Sequence, residues 1–315
     1  MTPGAGAKRW ALTLVRLAVA LFILWVTLRG FGIGRVQELL IHASPGWLAV
    51  AFLVALTQIP VITWRWELVH QAITGVKLDL WALSGHVARS LLWGQFLPST
   101  LGTDFVRATV LGTKAGIGAA ARSVVCDRLV GLLSLCGLVG LTLLFPALWR
   151  VHGLPAALPG LAIAGSASLF LPLVPPAWFS RIPLIGRLAA LAISDLRRVL
   201  GGGRDRKLII ALGFASHLMS LLLYQVLVGA LGGGFSLVNG FLVLPAALLV
   251  SSIPISIGGW GLREATIAIG ASGVGADPAL AVAASILYGL STPLTAAVVE
   301  CVHLLTPESA GRRRA

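Results

Sequence analysis

The stretches Gln95-Phe-Leu-Pro-Ser-Thr-Leu-Gly-Thr-Asp-Phe-Val-Arg107 and Ser252-Ile-Pro-Ile-Ser-Ile-Gly-Gly-Trp-Gly-Leu-Arg-Glu264 decide the fold. Each breaks an apolar run with a proline, follows it with a glycine and then an arginine, and fits P-x3-G-x4-R. The matching residues are Pro98 and Pro254, Gly102 and Gly258, and Arg107 and Arg263, and all three pairs are 156 residues apart (98 to 254, 102 to 258, 107 to 263). No other proline in the chain fits the pattern.

The runs around these breaks are those of a membrane protein. Hydrophobic residues make up 57% of the 315-residue chain and charged residues 11%, with a mean hydropathy of +0.93. A soluble domain carries about 25% charged residues, so this chain cannot furnish a water-facing surface. Ala11–Leu28, Trp47–Ile62, Leu129–Leu148, Leu208–Leu231 and Leu280–Val299 are each long enough, or nearly so, to cross a hydrocarbon core of about 30 Å. The first run is too long for a signal-peptide core and has no small-residue cleavage site after it, so it reads as the first membrane helix.

The net charge of +13 follows the positive-inside rule and does not call for nucleic acid. Basic residues gather in one loop, 178–207, with Arg181, Arg187, Arg197, Arg198, Arg204, Arg206 and Lys207, and in the tail 305–315 with Arg312–Arg314. Both belong in the cytoplasm, where they meet anionic headgroups. Cys126, Cys136 and Cys301 have no CxxC spacing and the six histidines are scattered, so neither a metal nor another cofactor is expected.

With loop and tail inside, crossing parity sets the topology. Segments 11–29, 46–64, 123–147, 156–177, 208–230 and 279–303 cross, while 81–121 starts and ends inside and 237–277 starts and ends outside. The expected fold is an all-α polytopic membrane protein with about six full crossings and two broken re-entrant hairpins. Its halves, 1–150 and 156–304, have inverted topology within one membrane domain, and both termini are cytoplasmic. The 156-residue shift carries 81–121 onto 237–277 and 123–147 onto 279–303, while the first two helices correspond only loosely. Arg29, Arg35 and Arg150 fall outside, against the general bias. Paired interruptions in corresponding positions of two halves point to a transporter's binding site.

Both breaks bring hydroxyls, hinge glycines (Gly102; Gly258, Gly259 and Gly261) and an arginine near a carboxylate to membrane depth. Half-helix N-termini favour an anion, and an arginine fork adds bidentate phosphate recognition. The substrate-binding candidates are Arg107, Asp104, Arg263, Glu264, Asp127, Arg128, Gln95 and Arg89. The competing reading makes Asp104 with Arg107, and Arg263 with Glu264, mutually neutralising interfacial charges. Adjacent residues on a helix point about 100° apart, which argues against Arg263 and Glu264 as an ideal pair. Asp127 and Arg128 serve either that cluster or a headgroup anchor at a helix start. His86 and Arg89, one turn apart, share a face that can turn to the cavity, with His86 read first as a packing residue. Arg65, between Trp64 and Trp66, reads as a snorkelling cation in an aromatic belt. Glu300 and His303 read as interfacial, and no catalytic residue is expected.

The order Leu-Pro-Ser…Gly-x-Asp-x-x-Arg, then Ser-Val-x-x-Asp-Arg-Leu-x-Gly-Leu, then Pro-x-x-x-Gly-Gly-x-Gly-x-Arg-Glu resembles the flippase-like transmembrane region of the lysylphosphatidylglycerol synthases and its stand-alone relatives. Gly258-Gly-Trp-Gly-Leu-Arg-Glu264 is the most specific part, and the resemblance spans nearly the whole chain. The family often has Glu-Arg where Asp127-Arg128 stands, an Asn near Gln95 and a second Gly at Thr103. The resemblance implies movement of lipid across a bilayer, without implying the lysyl transfer of the fused members. The expected function is translocation of an anionic or phosphate-linked lipid in the cytoplasmic membrane. A homo-oligomer or a lipid-synthesis enzyme stands as the macromolecular partner, and nucleic acid does not. The alternatives are an intramembrane transferase or subunit acting on lipid-linked sugar or hopanoid-type lipid, and a non-transporting scaffold of a lipid-synthesis complex.

Overall fold

The computed structural model describes residues 18–19, 21–30, 32–94, 104, 106–108, 116–142, 157–179, 186–201, 203–253 and 258–306. Every regular element among them is a helix. In chain order these are α1 (Leu21–Gly30), α2 (Ile33–Ile41), α3 (Pro45–Thr74), α4 (Leu80–Gly94), α5 (Ile117–Leu141), α6 (Ala157–Ser168), α7 (Pro176–Phe179), α8 (Gly186–Leu200), α9 (Gly203–Ala230), α10 (Leu237–Ser251), α11 (Leu262–Gly273) and α12 (Pro278–Leu305). Among the described residues, α3, α5, α9 and α12 are long and apolar enough to span a bilayer.

Local signals fix their ends. Pro45 opens α3, and Gly75 closes it in the left-handed conformation (φ 76°). Pro278 opens α12 behind Asp277, whose carboxylate accepts from Ala279 N at 2.8 Å. Pro60 and Pro293 sit inside long helices, where packed neighbours can re-satisfy the freed backbone groups.

Contacts at the two ends of the bundle orient each helix. At one end, which we call the basic end, Leu68 and Ile73 of α3, Cys126 of α5, Ile209 of α9 and Ile193, Leu196 and Val199 of α8 form one core. Arg122 of α5 donates to Asp195 of α8 there (Nε–Oδ2 2.8 Å), and the start of α4 meets the last turns of α12 through Ser84 and His303 (3.0 Å). At the opposite end Ser44 N, before α3, donates to Ala230 O, the last residue of α9, at 2.7 Å. Gln225 Nε2 donates to Ser236 O ahead of α10, and Val36 of α2 packs in one core with Ala279 and Leu280 of α12.

Two consequences follow. The chain stands at the basic end at Leu80, where α4 begins, and again at Gly116, just before α5. Residues 237–277 enter and leave at the opposite end, where α10 begins and α12 starts. The two hairpins therefore approach from opposite ends, as the crossing parity requires.

The repeat extends further than the apolar runs indicate. Moving α3 by 156 residues gives 201–230, against Gly203–Ala230 for α9, and moving α4 gives 236–250, against Leu237–Ser251 for α10. Moving α2 gives 189–197, inside α8, and both are amphipathic. The expected loose correspondence is thus corrected for α3. Its helix does not stop with the apolar run near residue 64 but continues through Arg65, Glu67 and His70, all of them buried.

Two further segments differ from expectation. The fourth crossing, 156–177, is not one continuous helix: α6 is 12 residues, about 18 Å, and is followed by a 3-10 turn at Leu171–Leu173 and the short α7. Pro172 and Pro175 lie where the helix stops. The basic loop is largely the helix α8, its apolar face buried and Arg197 donating to the carbonyls of Pro172 (2.6 Å) and Leu173 (2.8 Å).

Small residues set the close approaches, since lipid gives no hydrophobic drive between helices. A methyl at Gly165 would lie 3.2 Å from Cys136 O, and one at Gly270 2.7 Å from Val243 Cγ1.

Candidate functional site

Three elements bring their charges to one point inside the bundle. Asp127 lies ten residues into α5, about 15 Å along the helix from its basic end. Arg65, one residue before Trp66 on α3, donates to it through Nε (2.8 Å to Oδ1) and more weakly through NH2 (3.4 Å to Oδ2). Arg107, from the helical turn at 106–108, donates to Oδ2 at 3.0 Å. A third helix contributes Ser216 of α9, whose hydroxyl accepts from Arg65 NH1 at 3.2 Å. The Asp127 side chain is 1% exposed, Arg65 9% and Arg107 14%.

Arg65 is therefore not the snorkelling cation expected from its tryptophan neighbours. Trp66 turns inward, fully buried, donates from Nε1 to Ser123 Oγ (3.3 Å) and lies 3.9 Å under the Arg107 guanidinium. Asp104 pairs with Arg128 rather than with Arg107, and its neighbour in the cluster is the Arg107–Asp127 pair. The expected mutual neutralisation of Asp104 and Arg107 gives way to two rungs between the 104–108 segment and α5. Residues one turn apart on the segment meet adjacent residues of the helix.

The charge count of this cluster is unequal. Among the described residues, Arg65, Arg107 and Arg128 face Asp104 and Asp127, three positive charges against two negative. Among the described residues, Arg107 Nε is buried without a hydrogen-bond partner.

The second break forms a separate, balanced cluster at the start of α11. Glu264 Oε2 accepts from Gly261 N at 2.7 Å, closing the helix N-terminus. Its Oε1 takes Arg263 NH2 at 2.6 Å, Arg263 Nε at 3.0 Å and the Ser285 hydroxyl of α12 at 2.8 Å. Arg263 NH2 also reaches Ser285 O (3.2 Å), and its guanidinium stands 5.0 Å from the Trp260 ring and 5.5 Å from Tyr288. The expectation that adjacent residues make a poor pair is corrected here. Reaching back to cap Gly261 swings the Glu264 carboxylate across the helix axis, where the long arginine meets it. Gly258, Gly259 and Gly261 all have positive φ (58°, 80° and 85°), which accounts for glycines at the break.

A run of serines on α9 backs the first cluster. Ser216 holds Arg65, and Ser220 one turn later donates to Ser216 O at 3.1 Å. The 156-residue repeat puts Ala283 where Asp127 stands in the first half, so the second half draws its carboxylate from Glu264.

Arg89 is placed elsewhere. It spans from α4 to Glu300 near the end of α12 (NH2–Oε1 2.8 Å) and is 37% exposed. His303 beside it hydrogen-bonds Ser84 and lies 4.1 Å from the Trp81 ring. Gln95, Pro98, Gly102 and Pro254 lie outside the described residues. Among the described residues no group of three or more metal-ligating side chains comes together. Arg65 and Ser216 are the site residues that sequence reasoning missed.

The profile of the lysylphosphatidylglycerol synthase TM region matches residues 13–299. The chain belongs to this family. Family membership gives the bundle a membrane lipid-related function, in keeping with a buried charged site between apolar helices. No curated protein and no solved structure matches the chain.

Proposed function

We propose that the protein is a lipid translocase that binds a phosphate-bearing lipid at the Arg107–Asp127 cluster and passes it between leaflets. The supporting observation is that, among the described residues, three arginines face two aspartates there and Arg107 Nε is buried without a hydrogen-bond partner. A phosphodiester supplies one negative charge and acceptor oxygens suited to a guanidinium fork. Asp127 and Arg65 position Arg107, while the Asp104–Arg128 rung holds the segment that carries it. Arg263 and Glu264, already satisfied by one another and by Ser285, secure the tip of the second hairpin rather than taking phosphate themselves.

Hairpins entering from opposite ends provide the two halves of an alternating-access device. The basic end faces the cytoplasm under the positive-inside rule, with both termini there, in the cytoplasmic membrane. The cargo crosses chemically unchanged, so the protein acts as a transporter rather than an enzyme and needs no cofactor.

The test is appearance of fluorescently labelled phosphatidylglycerol in the opposite leaflet of vesicles containing the purified protein. Transfer should exceed that of protein-free vesicles and fall to their level with Arg107→Gln. Equal transfer with and without protein overturns the reading.

A further inference from the structure

A cavity of about 330 Å³ opens between α5, the 3-10 turn after α6, α8 and the end of α10. Its wall on α5 comprises Leu129, Leu132, Leu133 and Cys136, a helical stripe of aliphatic and thiol side chains. Ile193 and Leu196 of α8 line it on the basic side, and Val250 and Ile253 line it at the tip of the second hairpin. This groove is separate from the charged cluster. Asp127 and Leu129, two residues apart, lie about 200° apart around the helix. Arg128 stands between them and shares its face with Leu132, one turn on.

We infer that this groove holds one fatty-acyl chain of the lipid whose phosphate meets Arg107, an inference that rests on the translocase reading. Three observations point to a lipid chain as the occupant. The groove lies in the half of α5 beyond Asp127, on a helix long and apolar enough to span a bilayer. Its α5 wall is aliphatic apart from Cys136, while the Arg128–Asp104 pair stands one turn away on α5. An amphiphile with one apolar chain and an anionic end matches that order of surfaces. Its far wall, moreover, is the last turn of α10, immediately before the glycine break that Arg263 and Glu264 secure. A seated chain therefore presses on the hairpin tip and selects cargo by chain length as well as by headgroup.

The experiment compares dihexanoyl- with dipalmitoyl-phosphatidylglycerol retained by purified protein, read by native mass spectrometry. Leu132→Trp should lower retention of the dipalmitoyl lipid by about tenfold and leave the dihexanoyl lipid unchanged. Val250→Trp, from the opposite wall, should do the same and guards against misfolding of either variant. Arg107→Gln should lower both lipids together. If the tryptophan variants lower neither lipid, or lower both equally while remaining folded, the groove is not an acyl-chain site. Dimers that Leu132→Trp splits, with chain length irrelevant, would assign the groove to a second copy and overturn the inference. If Arg107→Gln changes nothing while the tryptophans act only on the long chain, the groove stands and the phosphate assignment falls.

Discussion

Arg65 and Asp127, 62 residues apart in sequence, meet at 2.8 Å in the interior of the bundle. That carboxylate also holds Arg107, so one buried acid answers two buried bases. The arrangement makes the consequences of removing each group differ. Asp127→Asn leaves both guanidinium groups uncompensated and should destabilise the protein by about 3–5 kcal/mol. Arg107→Gln leaves a one-to-one Arg65–Asp127 pair and should cost well under that. Thermal unfolding in detergent measures both, and equal losses would contradict the shared-carboxylate geometry.

The second cluster answers to a double-mutant cycle. Arg263→Gln strands the Glu264 carboxylate, and Glu264→Gln strands the guanidinium, so each alone should lower the unfolding temperature. The double change should be less harmful than the sum, with a coupling of about 0.5–3 kcal/mol. Additive losses would mean that the two side chains act independently despite their 2.6 Å contact.

Gly289 of α12 gives a steric probe of the same cluster. A methyl there would run into Arg263 NH2 and lie 2.8 Å from Trp260. Gly289→Ala should therefore displace Arg263 and cost about 1–3 kcal/mol by overpacking. Unchanged unfolding together with unchanged lipid transfer would show that Arg263 can give way freely.

Much of this was legible in the sequence, and the rest fails for identifiable reasons. The long runs and the twin proline–glycine–arginine breaks announce the helices and the hairpins, because lipid forbids unpaired backbone outside protein. Arg65 reads as interfacial in the sequence because a cation flanked by Trp64 and Trp66 has the local signature of a membrane interface. Only its partner, on another helix, moves it inward. Asp104 and Arg107, one turn apart, satisfy every short-range rule for a pair, yet α5 offers each a better placed opposite charge in Arg128 and Asp127. The break after α6 needed more weight on Pro172 and Pro175 than on the apolar run that contains them.

The inverted hairpins carry a labelling prediction. Single cysteines at Val76 and Ser194, in a background with Cys301 replaced by serine, should react with an impermeant maleimide from the cytoplasmic side. Cysteines at His42 and Ser272 should react from the other side. Reaction of positions 76 and 272 from one side would require a different threading of the chain.

Binding of phosphate at Arg107 is the proposal's central claim, and lipid retention measures it most directly. Wild-type protein and Arg107→Gln, both purified folded, are compared for bound phosphatidylglycerol by native mass spectrometry over a titration. Loss of a charge-assisted contact of about 1.5–3 kcal/mol predicts an affinity roughly ten- to a hundred-fold lower in the variant. Arg107→Lys should fall between, since it keeps the charge and loses the fork. Retention in Arg107→Gln equal to that of the wild type would contradict the assignment of the phosphate to this cluster.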